Sequence, residues 1–313
     1  MSGIPWAKRT RRTLRVWLIR AGIRLGALLP FRVAWALGGL VGRVAWLVGR
    51  RDRELALQHL AFALPELPED ERRAIARATF LHYAHGAAEV AQIARIDSDL
   101  ERYVTYDGEG EALLRTAHAK GKGLIFVTGH LGSWELLARR IVRSGIPAVV
   151  IAARSWDRRI DEMAEEFRAR GEVPTLFRED AGSGRTLLKA MRAGKALGIL
   201  IDQDTRVQSV FVPFFGHLAS TPRAAADLAL RFGCPVLVGW SRRRGPKAGD
   251  GYVLEVQEVG YDPNPADPEA EAVRITAACT ASIEQAIREA PAEWVWMHRR
   301  WSTKPLKSIE ISA

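Results

Sequence analysis

From about residue 101 onward, short apolar runs alternate with amphipathic stretches, and this alternation limits the architectures open to the chain. The runs at 123–128, 147–152, 197–201, 234–239 and 252–257 have strand length and composition. Between and around them, residues 110–119, 132–144, 158–170, 182–193, 222–232 and 268–289 carry helical periodicity. Strand–helix alternation of this kind predicts an α/β fold: a layered, largely parallel sheet flanked by helices. Thr221-Pro222 reads as a helix cap followed by proline at the first helical position. Residues 243–251, rich in Gly, Arg and Lys, read as a hairpin loop between the last two strands.

The first 98 residues have a different pattern, helical throughout and punctuated by Pro30 and the Pro65–Pro68 segment. Glu69, Asp70 and Glu71 suit the positive end of the next helix dipole. Three regions follow: 1–50, basic amphipathic membrane-associating helices; 51–100, a helical part of the catalytic domain; and 101–313, its α/β part. The net charge of +10 belongs to the first region. Residues 1–53 hold twelve basic side chains, Lys8 and Arg9 among them, and one acid, Asp52. On a helical wheel, Leu14, Trp17, Leu18, Ala21, Leu25 and Leu28 share one side and the arginines occupy most of the other. Such a helix is expected to lie in a lipid headgroup region, its arginines facing anionic lipid. A solvated basic face on a helix packed against the protein's own core is the alternative. A second apolar stretch, Val33 to Val48, is interrupted by Arg43, so a regular transmembrane span is not expected. Nucleic acid is not expected as a partner: the basic side carries no interleaved aromatics for stacking on bases.

At 48% hydrophobic and 26% charged, the composition is that of a folded protein rather than a disordered one. Cys234 and Cys279 lack metal-ligand spacing and read as buried thiols.

In a sheet of this type, ligands collect at the carboxyl ends of the strands. Three of the expected strands end in ionisable groups: His130 after 123–128, Arg154 after 147–152, and Asp202 and Asp204 after 197–201. An imidazole can take and return a proton near neutral pH, and works better when a carboxylate fixes its other ring nitrogen. Glu135, at the start of the next helix, can fold back toward His130 if the histidine sits in the preceding turn. The amides around Gly132 to Trp134 would then favour developing negative charge. The plainer reading of the pair is a helix-dipole glutamate beside a turn histidine. Asp202 and Asp204 can be loop caps, or acceptors for Arg154 and for a substrate hydroxyl or amine; a metal site would need more ligands than the sequence supplies nearby. Residues 210–216, unusually apolar for a loop, suit an acyl-chain pocket, a membrane contact or a buried edge strand.

The blocks around these residues are distinctive. Residues 128–135, TGHLGSWE, resemble the H-x4-D/E block of glycerolipid acyltransferases, and the GxWE context resembles the late lauroyl/myristoyl acyltransferases of lipid A biosynthesis. Residues 50–80, IDQD at 201–204 with VFVPFFGHLASTP at 210–222, and EWVWMHRRW at 293–301 are similar to further blocks of that family, in the same order. Ser133 stands where the family often has Asn, and AARSWD replaces a common YRP context.

The resemblance implies a glycerolipid acyltransferase-like fold and a fatty-acyl transferase, peripheral on the cytoplasmic face of a bacterial inner membrane. It implies acyl carrier protein or acyl-coenzyme A as donor, a glycolipid or lysolipid as acceptor, and no cofactor or metal. Lysophospholipid, phosphoinositide-mannoside and aminolipid acceptors are alternatives, and a non-catalytic lipid-binding membrane protein is a further one. Carried over residue by residue, His130 is the base that deprotonates the acceptor and Glu135 its orienting partner. Arg154 and Asp202 fall at cleft positions, and Arg299 and Arg300 suit a phosphorylated acceptor or structural pairing.

Overall fold

The computed structural model describes residues 6–305. Four long helices open the fold: α1 (Trp6–Leu28), α2 (Phe31–Val48), α3 (Arg50–Ala63) and α4 (Glu69–Ala91). Pro30 and the Pro65–Pro68 segment separate them as expected, because proline cannot continue a helix through its missing N–H. Helix α4 is the post on which α1, α2 and α3 pack. Two short helices, α5 (Ile93–Asp97) and α6 (Leu100–Tyr103), lead into β1 (Val104–Tyr106) and α7 (Gly110–Ala119).

The alternating part then follows as β2 (Leu124–Thr128), α8 (Trp134–Arg143), β3 (Ala148–Ala152), α9 (Arg158–Arg170), β4 (Thr175–Phe177), α10 (Ser183–Arg192) and β5 (Ala196–Leu200). A hairpin, β6 (Ser209–Phe214) and β7 (His217–Pro222), precedes α11 (Ala224–Phe232), β8 (Val236–Arg243), β9 (Tyr252–Glu258) and α12 (Pro268–Glu289). Seven strands form one sheet in the order β1-β9-β8-β2-β5-β3-β4. All neighbours are parallel except β8 and β9, which are joined by the expected 243–251 hairpin loop. Within this sheet the sequence reading omitted β1 and β4, which have three residues each, too few to register as a run; it also omitted β7 of the hairpin.

Both faces of the sheet are covered, which is why β2 reads Leu-Ile-Phe-Val-Thr with every residue buried. Leu124 and Phe126 meet α8 on one face; Ile125 and Val127 join the core formed with α3, α11 and α12 on the other. Residues 210–216 are most of β6 and the turn into β7; β6 packs on α12, with Phe214 and Phe215 in the core. Of the readings open to that stretch, the buried strand is the one found. Thr221 and Pro222 end β7 instead of starting a helix, and Arg223 occupies the cap position of α11.

Helices α1 and α2 present apolar side chains outward. Leu14, Trp17, Leu18, Leu25 and Leu28 of α1 are exposed, as are Leu37, Leu40, Val41, Val44 and Leu47 of α2. The side chains of Lys8 and Arg9, counted in the basic face, lie outside the described residues. Despite Arg43, α2 is long and apolar enough to cross a membrane, with 18 residues and a mean hydropathy of 1.4. By length and composition alone, a single arginine does not offset an otherwise apolar five-turn helix.

A buried polar cluster joins this helical layer to the sheet. Glu89 of α4 accepts two bonds from Arg243 of β8, at 2.8 and 3.0 Å, and one each from Tyr103 and Tyr252, at 2.7 and 2.8 Å. The Arg243 guanidinium lies over Trp35 of α2, which stacks on His85 of α4. Beside it, Glu293 accepts the Arg243 amide at 3.1 Å. Burial, opposed by that bond and the neighbouring arginines, raises the Glu293 carboxyl to about 7.

Removing one member of a buried ion pair strands the other, so Glu89→Leu should cost ~3–5 kcal/mol in unfolding experiments, and Glu89→Leu with Arg243→Met markedly less than the sum of the two single changes. Glu293 makes a pH prediction. The folded chain holds a proton that the unfolded chain releases between the ordinary glutamate range and pH ~7, so this residue's contribution to stability is present in acid and lost as pH rises through that window. Glu293→Gln should flatten the fall of melting temperature from pH 5 to 8, a difference of up to ~3 kcal/mol.

Candidate active site

The loop between β2 and α8 carries His130 at the carboxyl edge of the central strand. Its course is fixed from four directions. Tyr83 of α4 donates to the His130 carbonyl at 2.9 Å. Gly132 donates its amide to the Glu293 carbonyl at 3.2 Å, and Leu131 bridges to Trp294. Ser241 of β8 accepts the Ser133 amide on its hydroxyl at 2.8 Å. Gly132 has φ +62° and lies so close to the Ser241 carbonyl that a Cβ would sit 1.7 Å from it, so no other residue fits. The amides of Gly132 and Ser133, expected to face developing charge, are therefore engaged within the fold.

The fourth constraint is Asp202. One carboxylate oxygen accepts the His130 backbone amide at 2.6 Å and the Trp294 indole N–H at 2.8 Å; the other lies 2.8 Å from His130 Nδ1. Asp202 is fully enclosed, and burial alone would push its carboxyl up. His130 and these N–H bonds outweigh it and bring it down to about 2. An ionised carboxylate can only accept, so Nδ1 carries the proton and Nε2 is left with its lone pair. Among the described residues Nε2 has no hydrogen-bond partner, and the ring is about a quarter exposed. The edge of Trp134 meets the ring at a centroid distance of 5.0 Å.

Glu135 is placed differently from the sequence expectation. Its carboxylate is gripped by Arg168 of α9, with contacts of 2.6 to 3.1 Å, and the bond to His130 Nδ1 goes to Asp202 instead. The spacing explains it: Glu135 is already in the first turn of α8, while His130 points from the preceding loop toward β5. Glu135, Arg168 and His130 nonetheless line the same cavity.

That cavity, about 650 Å³, starts at His130 and is largely apolar. Thr128 and Thr205 line it, and the Oγ1 of each is buried without a hydrogen-bond partner among the described residues. The other expected site residues, Arg154, Asp204, Arg299 and Arg300, do not line it. Arg154 pairs with Asp180 at 2.6 Å, near Asp161 and Glu165, and lies over Phe177 in a separate surface cleft. Asp204 accepts the amide and hydroxyl of Thr303 at 2.6 and 3.0 Å and so ties down the C-terminal segment. Arg299 is exposed. Arg300 is completely buried; it donates to the Ser220 carbonyl and the Thr221 hydroxyl and lies over Phe214, so its charge serves the interior in this structure. Burial lowers its guanidinium to about 10. Sequence reasoning passed over Tyr83, Arg168, Ser241 and Trp294. Only Trp294 left a signal, as part of the aromatic block at 293–301.

Comparison with known proteins identifies the family. The family profile of bacterial lipid A biosynthesis acyltransferases matches residues 3–303. The lipid A biosynthesis lauroyltransferase of Escherichia coli K12 is 27% identical over 296 residues, covering 93% of each chain. The palmitoleoyltransferase of the same organism is 26% identical over 310 residues, covering 96% of this chain and 97% of its own. A phosphatidylinositol mannoside acyltransferase of Mycolicibacterium smegmatis is 24% identical over 294 residues, 90% of this chain and 89% of its own. With a parallel-sheet core, a histidine at its central strand edge and a family match along nearly the whole chain, this protein is an acyltransferase and belongs to the bacterial lipid A biosynthesis acyltransferase family.

Proposed function

We propose that the protein moves a fatty acyl chain from a thioester of acyl carrier protein or coenzyme A to a hydroxyl of a lipid A precursor or related glycolipid, at the cytoplasmic face of a bacterial inner membrane. The observation that carries this reading is His130: its Nδ1 is committed to a buried carboxylate while its free Nε2 stands at the mouth of an apolar cavity.

The chemistry follows from that geometry. Nε2 takes the proton of the acceptor hydroxyl, and the oxygen attacks the thioester carbonyl. A C–O bond forms, the C–S bond breaks, and the departing thiolate takes the proton back from the imidazolium. Asp202 holds the tautomer and stabilises the imidazolium while it exists. The unpaired hydroxyls of Thr128 and Thr205 supply donors toward the carbonyl oxygen. Glu135 acts at one remove, by holding Arg168 and thereby the wall of the cavity. No covalent acyl-enzyme is needed. The exposed Arg299 suits a phosphate on the acceptor. The mycobacterial relative supports a second reading in which the acceptor is a mannosylated phosphoinositide.

Membrane placement rests on α1 and α2, whose exposed leucines, valines and tryptophans lie beside the arginine-rich side of α1. An amphipathic basic helix of this kind binds anionic bilayers through apolar burial plus charge.

His130→Ala should lower the acyl-transfer rate ~10²–10⁴-fold, and Asp202→Asn by a comparable factor through the wrong tautomer. Glu135→Gln should cost less than either. These rates are measured on variants shown to be folded by circular dichroism; wild-type rates for His130→Ala and Asp202→Asn together would sink the mechanism. In vesicle co-sedimentation, the chain lacking residues 1–29 should lose at least ~10-fold in affinity for anionic vesicles. Undiminished binding by the shortened chain would refute the role given to α1.

A further inference from the structure

We infer that the slot between α8 and the sheet sets the length of the transferred acyl chain, with Gly198 as the residue that keeps it open. This rests on the acyl-transfer reading above and adds to it a specificity-determining position.

The slot is the α8-facing part of the cavity below His130; the same cavity also reaches Leu176, Leu187, Ile199 and Leu228, which belong to the other face of the sheet. Its roof is one stripe of α8: Trp134, Leu137, Ala138 and Ile141. Its floor is the α8-facing side of three adjacent parallel strands, and their register arranges that floor in rows. Nearest the catalytic edge, Thr128 pairs with Leu200. In the middle row Gly198 lies between Phe126 and Val150. At the far end Ala196 lies between Leu124 and Ala148. Ala148, Ala196 and Ile141 all touch the cavity there and are themselves buried, so they close it.

Gly198 is the anomaly in this surface. It is flanked on both sides by paired strands, yet it is not fully buried, because the void reaches it. A glycine weakens a strand interior and marks close approach of something else. An added Cβ would meet Val150 Cγ1 at 3.2 Å, which that side chain can absorb by a small shift, and would otherwise project into the slot. A branched side chain at this position fills the middle row.

The length follows from the strands. Leu200 to Ala196 is four residue steps, ~13 Å at the rise of a parallel strand. An extended chain of single bonds advances ~3.6 Å for every three bonds, as an extended residue does. The slot therefore accepts ~11 bonds, an acyl chain of about twelve carbons with its carbonyl at His130. Gly198 lies halfway, so an obstruction there leaves room for about six to eight carbons.

The test uses the full-length protein in detergent, offered an equimolar mixture of saturated acyl-coenzyme A thioesters of ~6–16 carbons and a lipid A precursor, with product ratios read by mass spectrometry. Wild type should favour about twelve carbons; Gly198→Val should raise the ratio of eight-carbon to twelve-carbon product by ~10-fold or more, and Ile141→Ala should move preference to longer chains. In parallel, a twelve-carbon fatty acid with a terminal photoreactive group should label the peptides of Ile141 and Ala148 in wild type and not in Gly198→Val. Both variants keeping the wild-type product ratios, or labelling unchanged by Gly198→Val, would overturn the inference while leaving the transfer reading intact. Labelling at those peptides with no product from any thioester or acceptor would instead overturn the transfer reading and keep the slot. Should Gly198→Val fail to fold, Ile141→Ala decides alone: an unchanged profile rejects the slot.

Discussion

Everything at the catalytic edge turns on one enclosed carboxylate. Asp202 gathers a backbone amide, an indole N–H and an imidazole nitrogen from two distant parts of the chain. An ion in that position is stable only while those donors are all present, since burial of an unpaired carboxylate costs several kcal/mol. The same bonds that make its enclosure tolerable orient His130. Site geometry and local stability are thus one set of interactions, and loosening the loop for the sake of one loosens the other.

Much of the fold was legible because both periodicities were strong. The buried strands β2, β3 and β5 are short unbroken apolar runs, and α12 runs over the same residues, 268–289, that the pattern indicated. What failed was short or ambiguous. Three-residue strands carry no period, and Thr221-Pro222 has the composition of a helix start but is held as a strand by its pairing with residues 209 and 210 of β6. The site was legible as a place more than as a set of partners. Sequence placed His130, Glu135 and Asp202 at one edge, yet nearness along the chain favoured Glu135 as the histidine's partner. Asp202 is 72 residues away and reaches it only because β5 lies beside β2. Trp294, Tyr83 and Ser241 approach from still more remote elements, and no local pattern encodes such convergence.

The helical layer adds a second level of organisation. Helix α4 carries the outward-facing α2 on one side and sends Tyr83 and His82 to the carbonyls of His130 and Gly132 on the other. Burial lowers the His82 imidazole to about 4, so it stays neutral in that contact. The exposed apolar face of α2 and the His130 loop are therefore separated by the width of a single helix. Glu89, on the same helix, clamps it to the sheet through Arg243.

The position of Trp294 in the chain also bears on truncation. Its indole N–H lies 92 residues further along the chain than Asp202, and with the Glu293 carbonyl it completes both the Asp202 cage and the loop of His130. A polypeptide that stops short of this segment has the histidine and the apolar cavity's strands, but no fixed carboxylate. Under the proposed mechanism such a fragment lacks an oriented base.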